Sequence, residues 1–405
     1  MDKNALRELA VKHLNKLCVE IAERRVGSEG NRMASTYVEQ ILQEYRWQTQ
    51  ATPLKVLDWM SKGASLQCGG RELQVYSSPY ALGCEVEGEW LAVDSLEKLE
   101  AAEMHGKVVV LHGAITASQI MPRNFVFYNP EEHQRIIAAL DKNPPAALIC
   151  ATGRDSATAG GTYPFPLFED GDLDIPSVYM KDTDGVQLLA LAGNPLKLVS
   201  HAERIPSTAF NVIANRGSEA GKKIVVSAHL DAKIGTPGAI DNATGVTTLL
   251  LLAGMLSDYT GETRVELVAF NGEDYYAVPG QMQYIQQNEG RFNEIIVNIN
   301  IDGLGYFEGL SCFSAFELPA HIREAFDETL RLNPGVVEGP PWYQGDHSIF
   351  LQFGCPAIAV SSVWLIQHMD SQDVTHTPKD NLDIVNVDRV VESAMAIRDM
   401  VERIS

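Results

Sequence analysis

From about Phe210 to the C-terminus, short uninterrupted apolar runs alternate with longer helical ones, and this constrains the fold more than any other feature of the sequence. Strand-like runs fall at 211–214, 223–228, 264–270, 295–301 and 356–360. Helical runs fall at 243–256, 280–287, 319–330 and 387–404. Strands that read as continuous Val/Ile/Leu/Ala are covered on both faces, and strands alternating with helices build a largely parallel sheet sandwiched by helices. The expected fold is therefore α/β, with a mixed, mostly parallel sheet. Ahead of it, residues 1–26 read as an amphipathic helix carrying Leu6, Leu9, Leu14, Leu17 and Ile21 on one side. A second helix carries Ala34, Tyr37, Val38, Ile41, Leu42 and Tyr45 at helical spacing, after a polar glycine-bearing loop at 24–30.

Between these parts the character changes. From about Ser61 to His201 there are short strand-like runs at 73–76, 90–93, 107–111, 146–150 and 176–180, with one helical stretch at 130–140. Gly, Pro and Asp turns separate them. The chain's 405 residues suit two or three domains. The simplest division is one α/β domain from 1–61 and 203–405, with a small β-rich domain, 62–202, inserted into it.

Composition narrows the function. The net charge is −21, from 53 acidic and 32 basic residues, with no cluster of Lys and Arg to neutralise phosphates. Nucleic acid and anionic membrane surfaces are therefore not expected partners. No apolar run is long enough to span a bilayer, and residues 1–26 lack the apolar core of a signal peptide. The six cysteines show no CxxC pair and no regular spacing, which fits buried thiols in a reducing compartment. A cytoplasmic location is expected, or an extracytoplasmic one if a leader has been removed.

The chemistry lies where ionisable residues follow strands. Val225-Val226-Ser227-Ala228 runs into His229 and Asp231, two residues apart and on one face of the strand. Such a His can ligate a metal while the Asp accepts its other ring proton. Gly238-Ala239-Ile240-Asp241-Asn242 opens the apolar helix, where Asp241 is either an N-cap or a ligand. Glu273 and Asp274 follow the strand ending at Phe270, and Asp302 follows Ile301. His376 sits in Thr375-His376-Thr377-Pro378-Lys379-Asp380 before the last helix. Each motif alone has an ordinary structural reading. Together they bring carboxylates and imidazoles to the carboxyl ends of the strands of one sheet, where open α/β sheets bind ligands. Five N/O ligands and a spare Glu suit two divalent ions, the imidazoles favouring Zn²⁺.

In order and spacing, these motifs resemble the co-catalytic two-zinc aminopeptidase superfamily, which also holds glutamate carboxypeptidases, glutaminyl cyclases and transferrin-receptor-type ectodomains. The resemblance covers about 205–405. The stretch 62–203, with His105-Gly106-Lys107-Val108-Val109-Val110 and Ile175-Pro176-Ser177-Val178, resembles the protease-associated domain that such enzymes often carry as an insertion. The resemblance implies a metal-dependent exopeptidase acting on peptides, with two zinc ions per chain. One ion would be held by His229 and Asp302, the other by Asp274 and His376, with Asp241 bridging. Glu273 would be general base toward a metal-bridging water, and Asp231 would orient His229. The family usually carries a second Glu where this chain has Asp274, so the loop must sit closer or that metal site is weaker. Asp346 and His347 match an Asp-His pair that the family carries near its substrate. Trp342 and Tyr343 are candidates to line a specificity pocket, Tyr343 also as an oxyanion donor. The implied alternatives are a glutaminyl cyclase-like acyltransferase, a carboxypeptidase with a basic pocket among Arg24, Arg25 and Arg32, and a non-catalytic receptor-like binding protein. The oligomeric state is not legible.

There is no His-Glu-x-x-His helix, Gly-x-Ser-x-Gly elbow, Walker loop or Gly-x-Gly-x-x-Gly turn. Serine hydrolase, NTPase and Rossmann dehydrogenase readings therefore lose their main support.

Overall fold

A computed structural model describes residues 1–405 except 22, 124, 126–128, 170, 172, 220 and 276. The chain divides into two compact units: Met1–Val56, Thr208–Asp274 and Val278–Ser405 form one, and Leu57–Ser207 with Tyr275–Ala277 the other.

The larger unit is built on a mixed sheet. Its strands are β1 (Gln48–Cys68) as far as Val56, β2 (Leu196–Arg216) from Thr208 onward, β3 (Lys223–His229), β4 (Arg264–Phe270), β5 (Ile295–Ile301), β6 (Ser311–Phe316), β7 (Val336–Glu338) and β8 (Ala357–Ser362), in the spatial order β7-β6-β8-β5-β3-β4-β2-β1. β4, β3, β5 and β8 run parallel to one another, while β2 and β6 pair antiparallel to β4 and β8. β3 is buried at all seven positions and β8 at all six, as a strand covered on both faces must be. Alternate residues such as Val226, Leu267, Ile299 and Val360 join one core with helices Glu29–Glu44, Thr244–Met255, Ala320–Leu332 and Val387–Ile404. On the opposite face an aromatic cluster of Phe270, Tyr284, Phe292 and Phe350 seats helices Pro279–Gln287 and His347–Gln352. Helices thus sandwich the sheet, as the alternation of the sequence requires.

Several expected elements differ in extent. The first helix was expected over 1–26. It runs as an α-helix from Lys3 to Asn15 and as a π-helical turn over Lys16–Glu20, residue 22 lying outside the described residues. The reason is local: the Leu17 carbonyl accepts from the Arg24 guanidinium at 2.6 Å. The strand expected at 211–214 is the end of the 21-residue β2. β1, of the same length, was not foreseen, because Pro53, Gly63 and half-exposed polar positions break its pattern.

The smaller unit holds a five-stranded sheet in the order Tyr76–Ser77, Ser177–Lys181, Ala147–Thr152, Val108–Leu111, Trp90–Val93, parallel except for the first pair. Besides helix Glu131–Lys142 it carries Leu96–Ala101 and Asp182–Leu189. At six and eight residues these are too short for helical periodicity to stand out in the sequence. Among the described residues no helix is long and apolar enough to cross a membrane.

Candidate metal centre

Strand register sets the site. Ser227 on β3 stands opposite Asn300 on β5, so His229 and Asp302, each two residues further on, reach the carboxyl edge of the sheet at one level. His229 itself pairs with Phe270, the last residue of β4, and the chain that leaves there carries Glu273 and Asp274. Three ligand candidates, His229, Asp274 and Asp302, and the candidate base Glu273 thus come from three adjacent parallel strand ends. Asp241 enters on the turn before helix Thr244–Met255, and His376 on the loop after helix Val363–His368.

Asp241 is not the cap of the helix it precedes. Asn242 does that work: its Oδ1 accepts from Gly245 N at 3.1 Å and its Nδ2 donates to Ile301 O at 2.8 Å. The Asp241 carboxylate is left to face two histidines. Oδ1 lies 3.1 Å from His229 Nε2, and Oδ2 lies 3.1 Å from His376 Nε2. Asp302 Oδ1 lies 3.5 Å from His229 Nε2, and Asp274 Oδ1 lies 3.2 Å from His376 Nε2. The five residues therefore fall into two groups that share Asp241. His376 holds φ at 61°, a left-handed conformation costly for a residue with a Cβ and found most often where function demands it.

The chemistry of this set fits two small dications. Ligand atoms about 2.0–2.1 Å from one tetrahedral zinc lie about 3.3 Å from each other, the spacing found within each group. His229 Nε2 and Asp274 Oδ2 are buried without a hydrogen-bond partner among the described residues, both in this cluster. His229, Asp241 and Asp274 each offer a ligand atom within 4.8 Å of the others. Electrostatics agree. Burial disfavours charge on both histidines, yet Asp302 and Asp241 beside His229, and Asp274 and Asp241 beside His376, hold their pKa values well above the ordinary range. Burial likewise opposes the charge of Asp241, but the two imidazoles facing its oxygens outweigh it and hold its pKa low. A site that binds protons this strongly has an excess of negative charge for cations to balance.

Glu273 is partly accessible beside this cluster. Burial is the largest influence on its carboxyl and, with Asp274, Asp302 and Asp346 nearby, raises the pKa well above the usual carboxylate range. Asp231 differs from its expected role. Its carboxylate stands 3.9 Å from His229 Nδ1, while its backbone carbonyl lies 3.2 Å from that nitrogen and orients the ring. The carboxylate instead accepts from the backbone of the next loop: Oδ1 from Gly272 N (2.7 Å) and Glu273 N (3.2 Å), Oδ2 from Asp274 N (2.9 Å). That clamp draws the loop in, and the shorter Asp274 still reaches His376.

Gly345, at φ 122°, brings the Asp346-His347 segment against Asp302; a Cβ there would lie 3.3 Å from Asp302 Oδ2. Asp346 is fully buried, accepts from Gln281 Nε2, and has its pKa raised to about 7, chiefly by burial. His347 Nε2 donates to Trp342 O at 2.8 Å, and burial lowers its pKa to about 4. Trp342 is buried with Phe316, Ala357 and Ala359, whereas Tyr343 is 68% exposed, its ring packed T-shaped against Phe316. Arg24 cannot serve as a pocket for a substrate carboxylate, because it is buried and bonded to backbone carbonyls. Arg25 pairs with Glu23, and Arg32 donates to Gly27 O.

Asp380 ends the loop motif that carries His376. It is buried, and its two oxygens accept from Ile240 N (2.8 Å) and Asp241 N (3.1 Å), fixing the backbone of the shared carboxylate.

Residues 211–401, which include all five clustered residues and Glu273, match Peptidase family M28. Apart from Tyr275–Ala277, this match lies within the larger unit. Among curated proteins the chain is 25% identical over 346 residues to a probable lipoprotein aminopeptidase, LpqL, of Mycobacterium tuberculosis, covering 81% of this chain and 63% of the relative. It thus spans less than two thirds of that relative's length. Among solved structures it resembles an aminopeptidase from Aneurinibacillus sp. strain AM-1 (TM-score 0.73, 20% identity, 98% of this chain and 93% of that one). It also resembles BSAP, a zinc aminopeptidase from Bacillus subtilis (TM-score 0.74, 16% identity, 98% and 94%). At these identities the likeness of structure speaks for the fold. The chain and these solved structures share the sheet-and-helix architecture that the sequence pattern called for.

Proposed function

We propose that this chain is a two-zinc aminopeptidase that releases the N-terminal residue of peptides. The observation that carries the reading is the Asp241 carboxylate, whose two oxygens face two different histidines, each with its own further aspartate. The similarity to family M28 and to a zinc aminopeptidase supports the choice of metal and of reaction.

His229, Asp302 and Asp241 would hold one zinc ion, and His376, Asp274 and Asp241 the other. When bound, the pair supplies Lewis acidity toward the scissile carbonyl and makes water a nucleophile near neutral pH. The remaining work belongs to the protein. Glu273, its pKa raised by burial and by neighbouring carboxylates, takes a proton from the attacking water and delivers it to the leaving amine. The Asp231 carbonyl accepts from His229 Nδ1 and so turns Nε2 toward Asp241 and Asp302, with which it would hold the ion. The Asp231 carboxylate fixes the loop that carries the base, and Asp380 fixes the turn that carries the bridge.

The test is hydrolysis of an aminoacyl anilide and of a dipeptide by zinc-loaded protein, beside Glu273→Gln. Activity in the parent and a loss of about 10²–10⁴-fold in kcat, with metal content unchanged, is the expected result. No hydrolysis of either substrate, with the variant indistinguishable from the parent, would overturn the reading.

A further inference from the structure

The two metal-facing loops of the larger unit are braced by side chains from the N-terminal segment. Arg24 is 1% exposed and directs its guanidinium at four backbone carbonyls: Leu230 O (3.0 Å), Leu17 O (2.6 Å), Pro237 O (2.8 Å) and Gly238 O (2.8 Å). Leu230 lies between His229 and Asp231, and Pro237 and Gly238 lead into Asp241. One guanidinium therefore ties the end of β3 to the turn that carries the shared carboxylate. Gly238 holds φ at 57°, and a Cβ there would come within 2.9 Å of the Arg24 nitrogen and 2.4 Å of Asp241 O. The chain is wound directly onto the arginine. From the amide side Asp380 accepts from Ile240 N and Asp241 N, so the backbone of Asp241 is held on both sides.

The same segment reaches the second loop. Asn31 Nδ2 donates to Arg24 O (2.9 Å) and to Asn271 Oδ1 (2.8 Å), and Asn271 Nδ2 donates back to Asn31 Oδ1 (2.9 Å). Asn271 opens the loop of Glu273 and Asp274, and its own amide donates to Asn211 Oδ1 at 2.9 Å. Asn31 and Asn271 are both fully buried, so neither amide can exchange its partner for water.

We propose that Arg24 and Asn31 are positioning residues of the metal centre: Arg24 sets the Asp241 turn and with it both metal sites, and Asn31 sets the Asp274 loop and with it one. The proposal rests on the two-metal reading above. Both residues lie outside the 211–401 stretch that matches the family. The physical reason is tolerance: a carboxylate shared by two ions must be held to within about 0.5 Å, and a turn can be that rigid only if its backbone is fixed from behind. A planar five-donor fork suits this task, and a lysine does not.

The experiment is a zinc titration of metal-free protein against a competing chelator, resolving two binding steps. Cobalt(II) absorption would serve as a signature of ligand geometry, and circular dichroism would establish that each protein is folded. The proteins are the parent, Arg24→Met, Arg24→Lys, Asn31→Ala and, as a destabilised control remote from the site, Lys223→Met. The expected result is two ions in the parent. Both steps should weaken about 10–100-fold in Arg24→Met and Arg24→Lys, with an altered cobalt spectrum. One step should weaken in Asn31→Ala, and neither in Lys223→Met. Should Arg24→Met fail to fold, Asn31→Ala still decides the matter. Parental affinity in both Arg24→Met and Asn31→Ala would overturn the proposal while leaving the two-metal reading intact. An equal loss in Lys223→Met, or full rescue by Arg24→Lys, would also overturn it, since stability or charge alone would then explain the effect. Fewer than two ions in the parent would overturn the two-metal reading itself.

Discussion

Asp231 orients His229 through its backbone and not through its side chain: the carbonyl oxygen is 3.2 Å from Nδ1, the nearer carboxylate oxygen 3.9 Å. The carboxylate is committed to three backbone amides of residues 272–274. Replacing it with an amide keeps the contact to His229 but sets an NH₂ group against an N–H donor.

Asp231→Asn is therefore expected to loosen the Glu273–Asp274 loop and to spare the His229 side. Metal affinity should fall about 10–100-fold for one ion of the pair. Stability should drop by about 1.5–3 kcal/mol, the worth of a hydrogen bond to a buried charge. Two-step zinc titration and urea unfolding measure both. Weakening of the ion in the His229–Asp302 group, with the Asp274 one spared, would point instead to a role through His229.

Lys223 opens β3 and His229 closes it, about 20 Å apart along a seven-residue strand. Lys223 Nζ donates to Glu266 Oε1 at 2.7 Å and to Asn288 Oδ1 at 3.1 Å, and the Tyr284 hydroxyl also donates to Glu266, at 2.6 Å. Burial lowers the Lys223 pKa against the pull of Glu266. Lys223→Met leaves Glu266 buried without its counter-charge and should cost about 3–5 kcal/mol. Lys223→Met combined with Glu266→Leu should recover most of that. A double variant no more stable than the single one would show that the pair contributes net stability.

His13 predicts a pH dependence. It is buried in the first helix, its Nδ1 2.7 Å from the Tyr37 hydroxyl and its Nε2 without a hydrogen-bond partner among the described residues. Burial, then Lys12, lowers its pKa from 6.5 to about 4. Between those values the unfolded chain binds the extra proton, so this contribution is whole above about pH 6.5 and is lost as pH falls toward 4. It amounts to about 3 kcal/mol. Urea midpoints of the parent and His13→Gln from pH 7.5 to 5 test this. The parent should lose stability faster on acidification, and parallel curves would contradict the assignment.

The parts of this molecule that the sequence revealed are those in which burial is uniform or chemistry follows a strand. β3, β4 and β5 read as continuous apolar runs because both their faces are covered, and His229, Asp302 and Glu273-Asp274 stand out as the first ionisable residues past them. β6 does not stand out: Ser311-Cys312-Phe313-Ser314-Ala315-Phe316 is mostly small residues, and its burial comes from tertiary packing. The role of Arg24 was hidden for a different reason. Its partners are four main-chain carbonyls, which leave no mark in a sequence, and a loop arginine read alone suggests a substrate anion. Asp231 misled in a related way. The His-x-Asp spacing correctly places the two residues together, but only the fold shows that the carboxylate faces the neighbouring loop.

The measurement that bears most directly on the two-metal centre is zinc content by elemental analysis of protein purified without chelator, beside Asp274→Ala. About two ions per chain in the parent and about one in the variant is the predicted result, because Asp274 faces His376 at 3.2 Å and takes no part in the His229–Asp302 group. One ion in both proteins would contradict it, leaving Asp274 outside the coordination shell and Asp241 with nothing to bridge.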